Sequence, residues 1–180
     1  MTTENKKILT PAQSIQKSYL RQPVDPDAIE KFRPHLSILL RALSPTDKEG
    51  VNKGRVKTFL ENTHWPTERY EVNESVNSNA DLVIRDKNLG KNVALFEFKR
   101  VNSQEMVSLE NLVQKALFEL VFYYILEEHD ARNTNLKHLV ISDGYKYFIF
   151  EKGLFWELFG KDKVFVDNIM SSERNSSERR

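Results

Sequence analysis

Apolar residues recur at helical spacing from Ile29 through Phe32, Leu36, Leu39 and Leu40 to Leu43. Asp25 and Pro26 stand just ahead of that run, a capping residue followed by a first-turn proline. The pattern predicts an amphipathic helix, with Pro34 expected to kink or break it. Ser44-Pro45 restarts a helical pattern that reaches about Thr63 and turns Val56, Phe59 and Leu60 inward. Gly50 weakens its first turns by roughly 1 kcal/mol relative to alanine. Strand patterns follow over residues 69–74, 80–85 and 92–100. Residues 103–128 carry Leu109, Leu112, Val113, Ala116, Leu117, Leu120 and Tyr124 at helical spacing, which predicts one long amphipathic helix. Two further strands are expected over 138–142 and 146–151, separated by a turn at Asp143-Gly144. The order α-α-β-β-β-α-β-β implies a mixed β-sheet flanked by helices, an α/β or α+β fold.

The segment ADLVIRDKNLGKNVALFEFKR, residues 80–100, reads as a β-hairpin with its loop centred near Leu89. That centre opposes Val83 to Leu95, Leu82 to Phe96 and Asp81 to Glu97. Side chains alternate along a strand, so Lys99 shares a face with Glu97, about 7 Å further on. Val93 and Leu95 precede them on that face, and Phe96 and Phe98 occupy the other. A strand apolar on both faces thus ends in two charges. Directly opposed side chains have Cβ atoms roughly 5 Å apart. Two ionised carboxylates there repel by about 3 kcal/mol at an effective dielectric near 20, so a positive charge is expected between them. A hard divalent cation meets that need, since Mg²⁺ takes carboxylate oxygens together with waters and phosphate oxygens. Asp81, Glu97 and Lys99 form a minimal set for phosphodiester hydrolysis: two ligands, and an ammonium to orient water and offset charge on the phosphorane. The ordinary alternative is a solvent-facing Glu–Lys pair, common in a chain with 29% charged residues.

Composition narrows the class without choosing the function. The 180 residues fit one domain, with 39% hydrophobic and 11% aromatic residues, as in ordinary globular chains. No apolar run approaches the roughly 18 residues of a membrane span, and the N-terminus lacks a signal-peptide core. With no cysteine, disulfides and thiolate metal sites are excluded, and a cytoplasmic location is the simplest expectation. A net charge of only +1 fits a catalytic module whose target is delivered by another domain or subunit better than an autonomous DNA binder. Residues 1–14 are expected to be a flexible N-terminus, 15–168 a single domain, and 169–180 a disordered polar tail.

The hairpin and its charges resemble the PD-(D/E)xK nuclease superfamily, with FEFKR as the Glu-x-Lys half and Ala80-Asp81 where Pro-Asp often stands. More closely, residues from about 15 to 160 resemble the N-terminal nuclease domain of bifunctional type IIG restriction–modification enzymes. SIQKSYL, KTFLENTHW, ADLVI, FEFKR, QKALFELVFYYILEE and LKHLVISDGYKYFIFE carry that likeness. The resemblance implies a Mg²⁺-dependent DNA endonuclease, with Mn²⁺ able to substitute. Asp81 and Glu97 would ligate the metal with the main-chain carbonyl of Phe98, and Lys99 would be the catalytic lysine. A helical glutamate often joins such sites; Glu49 aligns with it, although Glu49-Gly50 stands where the closer family often has two glutamates. A surface glutamate favoured by the helix dipole is the plain alternative. Arg100, directly after the motif, is a candidate phosphate contact.

The resemblance also implies a methyltransferase and target-recognition region, as a domain or a separate subunit, because this chain holds no candidate methylation motif. Double-strand cutting from one site per chain suggests a transient homodimer. Two rivals remain: a repair or junction nuclease of the same superfamily, and a non-catalytic DNA-binding or interaction module that keeps the fold. His35, His64, His129 and His138 lack paired ligand spacing and are expected to be structural or exposed. Phe118, Phe122, Tyr123 and Tyr124 are expected in the core, and Gln114 on a helix surface. Removing Lys99 is expected to abolish cleavage and leave folding intact.

Overall fold

The computed structural model describes residues 8–63, 68–74 and 80–177. His64 and Trp65, part of one resemblance segment, lie outside them, as do the outermost terminal residues. Two single turns, α1 (Pro11–Ser14) and α2 (Lys17–Leu20), precede the helical pair α3 (Pro26–Ala42) and α4 (Glu49–Thr63). Strands β1 (Tyr70–Asn73), β2 (Leu82–Asp86) and β3 (Lys91–Phe98) come next. Helix α5 (Lys115–Ile125) leads through a π-helical turn to β4 (His138–Ser142) and β5 (Tyr147–Glu151). The chain then forms α6 (Lys152–Phe155), a second π-turn and α7 (Lys163–Ser177).

The five strands make one mixed sheet in the order β1-β2-β3-β4-β5, with β3 and β4 parallel and every other pair antiparallel. Helices cover both faces. On one, Leu120, Tyr124, Phe155 and Val166 pack with Val83, Leu95, Leu139 and Ile141. On the other, Leu39, Leu43, Val56 and Leu60 pack with Leu82, Ile84, Phe96, Phe98 and Val140. Central β3 is therefore buried on both sides from Val93 onward, the usual setting for a near-continuous apolar run. The fold is α+β, a five-stranded mixed sheet between helical layers. Among the described residues, no helix is long and apolar enough to cross a membrane.

The hairpin register agrees with expectation where the ladder is regular: Leu82 opposes Phe96, Val83 opposes Leu95 and Ile84 opposes Ala94. Beyond Ile84 a bulge shifts the pairing by one, with Arg85 opposite Asn92, and Val93 is the extra residue. Val93 accordingly joins the α3–α4 core rather than sharing the Leu95 face, a correction to strict alternation.

Other expectations change as well. Pro34 does not break α3, which runs unbroken from Asp25, whose side chain caps the Asp27 N–H at 3.0 Å. Of its apolar stripe, only Leu39 and Leu43 are fully buried, while Ile29 and Leu40 are exposed. The second helix begins at Glu49 rather than at Pro45, because buried Asn52 bonds both the N–H and the carbonyl of Ser44 and fixes the intervening residues as a turn.

The long helix over 103–128 starts only at Lys115. Asn102 has a positive φ of 60°, and Ser108 and Asn111 spend their side chains on local backbone N–H groups, which competes with helix formation. Leu109 and Val113 of the apparent stripe are exposed, and adjacent Met106 and Val107 are buried instead. At the ends, Thr10 and Gln13 close α1 through a capping box within the expected flexible segment. The expected tail is helical as far as Ser177, because Val166, Ile169 and Met170 dock that helix on the core.

A candidate active site at the end of the central strand

Asp81, Glu97, Lys99 and Glu49 come together where β3 leaves the sheet. The position follows from the fold: β3 is held on one side by the hairpin and on the other by parallel β4, where the Lys99 N–H still bonds the Ser142 carbonyl at 2.9 Å. Odd residues of this stretch face α5, so Glu97 and Lys99 turn toward that helix while Phe96 and Phe98 fill the opposite core.

Glu97 is 2% exposed and Lys99 is 6% exposed, which rules out the solvent-facing ion pair. The Lys99 ammonium lies 2.5 Å from Glu97 Oε1 and 2.6 Å from Glu119 Oε2, with Glu105 Oε2 at 3.8 Å. Glu119 comes from α5 and is in turn 3.6 Å from Lys115, which also pairs with Glu105 at 3.0 Å. Burial pulls the Lys99 ammonium toward neutrality, but the hydrogen bonds to Glu119 and Glu97 outweigh it and raise its pKa. Burial pushes the Glu97 carboxyl up to about 8, against the Lys99 hydrogen bond and with the help of the Asp81 charge. Burial raises Glu119 as well, yet Lys99 and the Glu97 carboxyl bond it strongly enough to leave it below the ordinary glutamate range.

Glu97 Oε2 is fully buried and faces no protein donor. An oxygen so placed calls for a proton or a cation.

Asp81 sits just outside β2, its N–H bonded to the Phe96 carbonyl at 3.0 Å. The expected facing pair with Glu97 lies one step beyond the ladder's last pair, Leu82–Phe96, and the two charges interact. One Asp81 oxygen accepts the Phe98 N–H at 2.8 Å and the other accepts Lys53 Nζ at 2.9 Å. Glu49, in the first turn of α4, accepts the Arg100 N–H at 3.0 Å. Burial, and then the Asp81 charge, raise the Glu49 pKa. Glu49 therefore joins the cluster, while the Arg100 side chain stays exposed at its rim. Phe98 contributes its N–H to Asp81 and is 0% exposed.

Sequence reasoning missed three members. Lys53 lies one turn after Glu49 on the same helix, and that four-residue spacing was a usable signal. Glu119 was hidden within the stripe of α5. Tyr123, expected in the core, is half-buried; burial and then the charges of Glu97, Glu119 and Asp81 raise its pKa, which places its hydroxyl within electrostatic reach of the site. Tyr124 is the true core residue. Gln114 stands at the N-cap of α5 and makes no side-chain cap. His129 stacks on Trp156, and His138 is exposed at the start of β4.

Each acid has its own ammonium group, Lys53 on Asp81 and Lys99 on Glu97, and neither is shared between the two. Among the described residues no three His, Cys, Asp or Glu side chains are placed to hold a metal ion. The oxygen donors nonetheless suit a hard divalent ion in type, and Glu97 Oε2 is a buried acceptor that no protein hydrogen bond occupies.

Fold and site define an α+β domain with a buried acid–lysine cluster at the end of its central strand. The chain belongs to the family described as Domain of unknown function (DUF7149), whose model matches residues 9–180. Neither a curated protein nor a solved structure matches it.

Proposed function

We propose that the chain is a Mg²⁺-dependent DNA endonuclease domain of PD-(D/E)xK type, the cleavage module of a type II, IIG-like restriction system. The observation that carries the proposal is the convergence of Asp81, Glu97, Lys99 and Glu49 at one end of β3. The element order supports it: a helix, three antiparallel strands, a helix and a strand parallel to the third. Asp81, Glu97 and the Phe98 carbonyl would hold Mg²⁺ or Mn²⁺, which when bound supplies Lewis acidity and a water of lowered pKa. Glu97 and Glu119 fix the Lys99 ammonium, so it can orient the attacking water and stabilise charge on phosphate oxygens without reorganising. Glu49 ties α4 to the strand end through the Arg100 N–H, leaving the Arg100 guanidinium to meet the DNA backbone. Target choice falls to a methyltransferase or recognition domain or subunit, two copies would cut both strands, and the cytoplasm is the working compartment.

A non-catalytic module is favoured by one observation, that Asp81 and Glu97 each already hold an ammonium group. Cleavage of supercoiled plasmid in Mg²⁺ or Mn²⁺ separates the two. The catalytic proposal requires that Lys99→Ala and Asp81→Asn each slow nicking by roughly a hundredfold or more. Equal rates for Lys99→Ala and wild type would end it.

A further inference from the structure

The two lysines at the site are held differently. Lys99 is buried and clasped by two glutamates. Lys53 is half-buried, and its ammonium has Asp81 Oδ1 as its close partner, at 2.9 Å. The other Asp81 oxygen is bound to a main-chain N–H of the central strand, which cannot leave without disturbing the sheet. Lys53 instead ends a flexible four-carbon stem, while its helix is anchored independently by buried Asn52, Val56 and Leu60. Its ammonium can therefore swing away while the backbone stays. Glu49, one turn earlier, adds a second negative group that interacts with both Asp81 and Lys53.

We infer that Lys53 is the resident counter-ion of Asp81 in the metal-free protein, and that an entering divalent cation displaces it. The inference rests on the proposed metal-dependent reading. It adds a consequence: Lys53 holds the empty site in a charge-balanced, folded state and raises the metal concentration needed to load it. Once displaced, its ammonium stands free at the rim, where a phosphate oxygen can replace Asp81 as its partner. A polyanion that captures Lys53 therefore tightens metal binding, and metal and DNA load the site cooperatively.

The test is Mn²⁺ binding to the whole chain, by calorimetry and by electron paramagnetic resonance, with no turnover required. Lys53→Met, with Lys53→Gln as a second variant should the first fold poorly, should bind Mn²⁺ on the order of tenfold more tightly than wild type. Lys53→Arg should keep the wild-type affinity, and Asp81→Asn should lose binding. A short oligonucleotide should tighten Mn²⁺ binding to wild type by a larger factor than it does to Lys53→Met. Affinity in Lys53→Met and Lys53→Gln no higher than in wild type would overturn the inference alone. Mn²⁺ binding that is absent in wild type and in both neutral variants, or unaffected by Asp81→Asn, would overturn the metal-dependent reading and this inference together.

Discussion

Replacing Lys99 by methionine leaves two carboxyls, Glu97 and Glu119, around a cavity emptied of its charge. Removing one partner of a buried ion pair costs about 3–5 kcal/mol where the remaining charge has no escape. Two features reduce that figure. Glu119 keeps 29% of its side chain exposed and retains Lys115 at 3.6 Å. Glu97, with its pKa at about 8, can shed its charge by keeping a proton. We expect a loss of about 2–3 kcal/mol at pH 9 and about 1 kcal/mol at pH 6.

The pH dependence follows from proton counts. Glu97 binds its proton more tightly folded than unfolded, so stability falls as pH rises from the ordinary glutamate value to about 8. Removing the Lys99 hydrogen bond, which lowers that pKa, widens the window upward and makes the total fall larger. Urea unfolding reads the difference directly: at an m-value of about 2 kcal/mol per M, the midpoint should drop by about 1 M at pH 9 and about half that at pH 6. Lys99→Met combined with Glu119→Gln should recover part of the loss, since the buried Glu97 carboxyl then no longer faces a second carboxylate. Equal midpoints for wild type and Lys99→Met at both pH values would refute the reasoning, and so would a double variant no more stable than Lys99→Met. A domain stable by about 5–15 kcal/mol survives such a loss, so the variant stays folded for the cleavage assay but is weakened.

Gly144 has a φ of +91°, and a Cβ there would lie 2.9 Å from Leu43 Cδ2, so Gly144→Ala should lower stability by about 1–3 kcal/mol in the same urea assay. An unchanged midpoint would mean that the β4–β5 turn yields freely. Divalent binding needs Glu97 as a carboxylate, whereas at pH 7 it is mostly protonated, so Mn²⁺ should expel close to one proton near pH 7, about half a proton near pH 8 and very little by pH 9. Calorimetry in buffers of different ionisation enthalpy counts those protons, and a count that does not fall with rising pH would contradict the buried, protonated state.

The sheet was legible because strand signals are local: β4 spans the five residues its apolar run delimits, and the regular half of the hairpin pairs as the apolar matches require. The bulge at Val93 was not legible, since an extra residue in a buried apolar strand leaves no mark on alternation. Residues 101–114 misled for a related reason. Leu109, Leu112 and Val113 mimic a helical stripe, and only the local bonding of Asn102, Ser108 and Asn111 decides against it. Asp81, Glu97 and Lys99 stood out as charges ending an apolar strand. Their partners Lys53 and Glu119 belong to helices whose rotation toward the sheet is fixed by tertiary packing, and they look like ordinary surface charges in the sequence.

The most direct measurement of the central claim is anomalous scattering from crystals of the chain grown with a short DNA duplex and Mn²⁺. The proposed site requires one peak within about 2.0–2.3 Å of carboxylate oxygens from both Asp81 and Glu97, with Lys53 withdrawn from Asp81. A peak elsewhere, with the Lys53–Asp81 and Lys99–Glu97 pairs intact around the bound duplex, would contradict it.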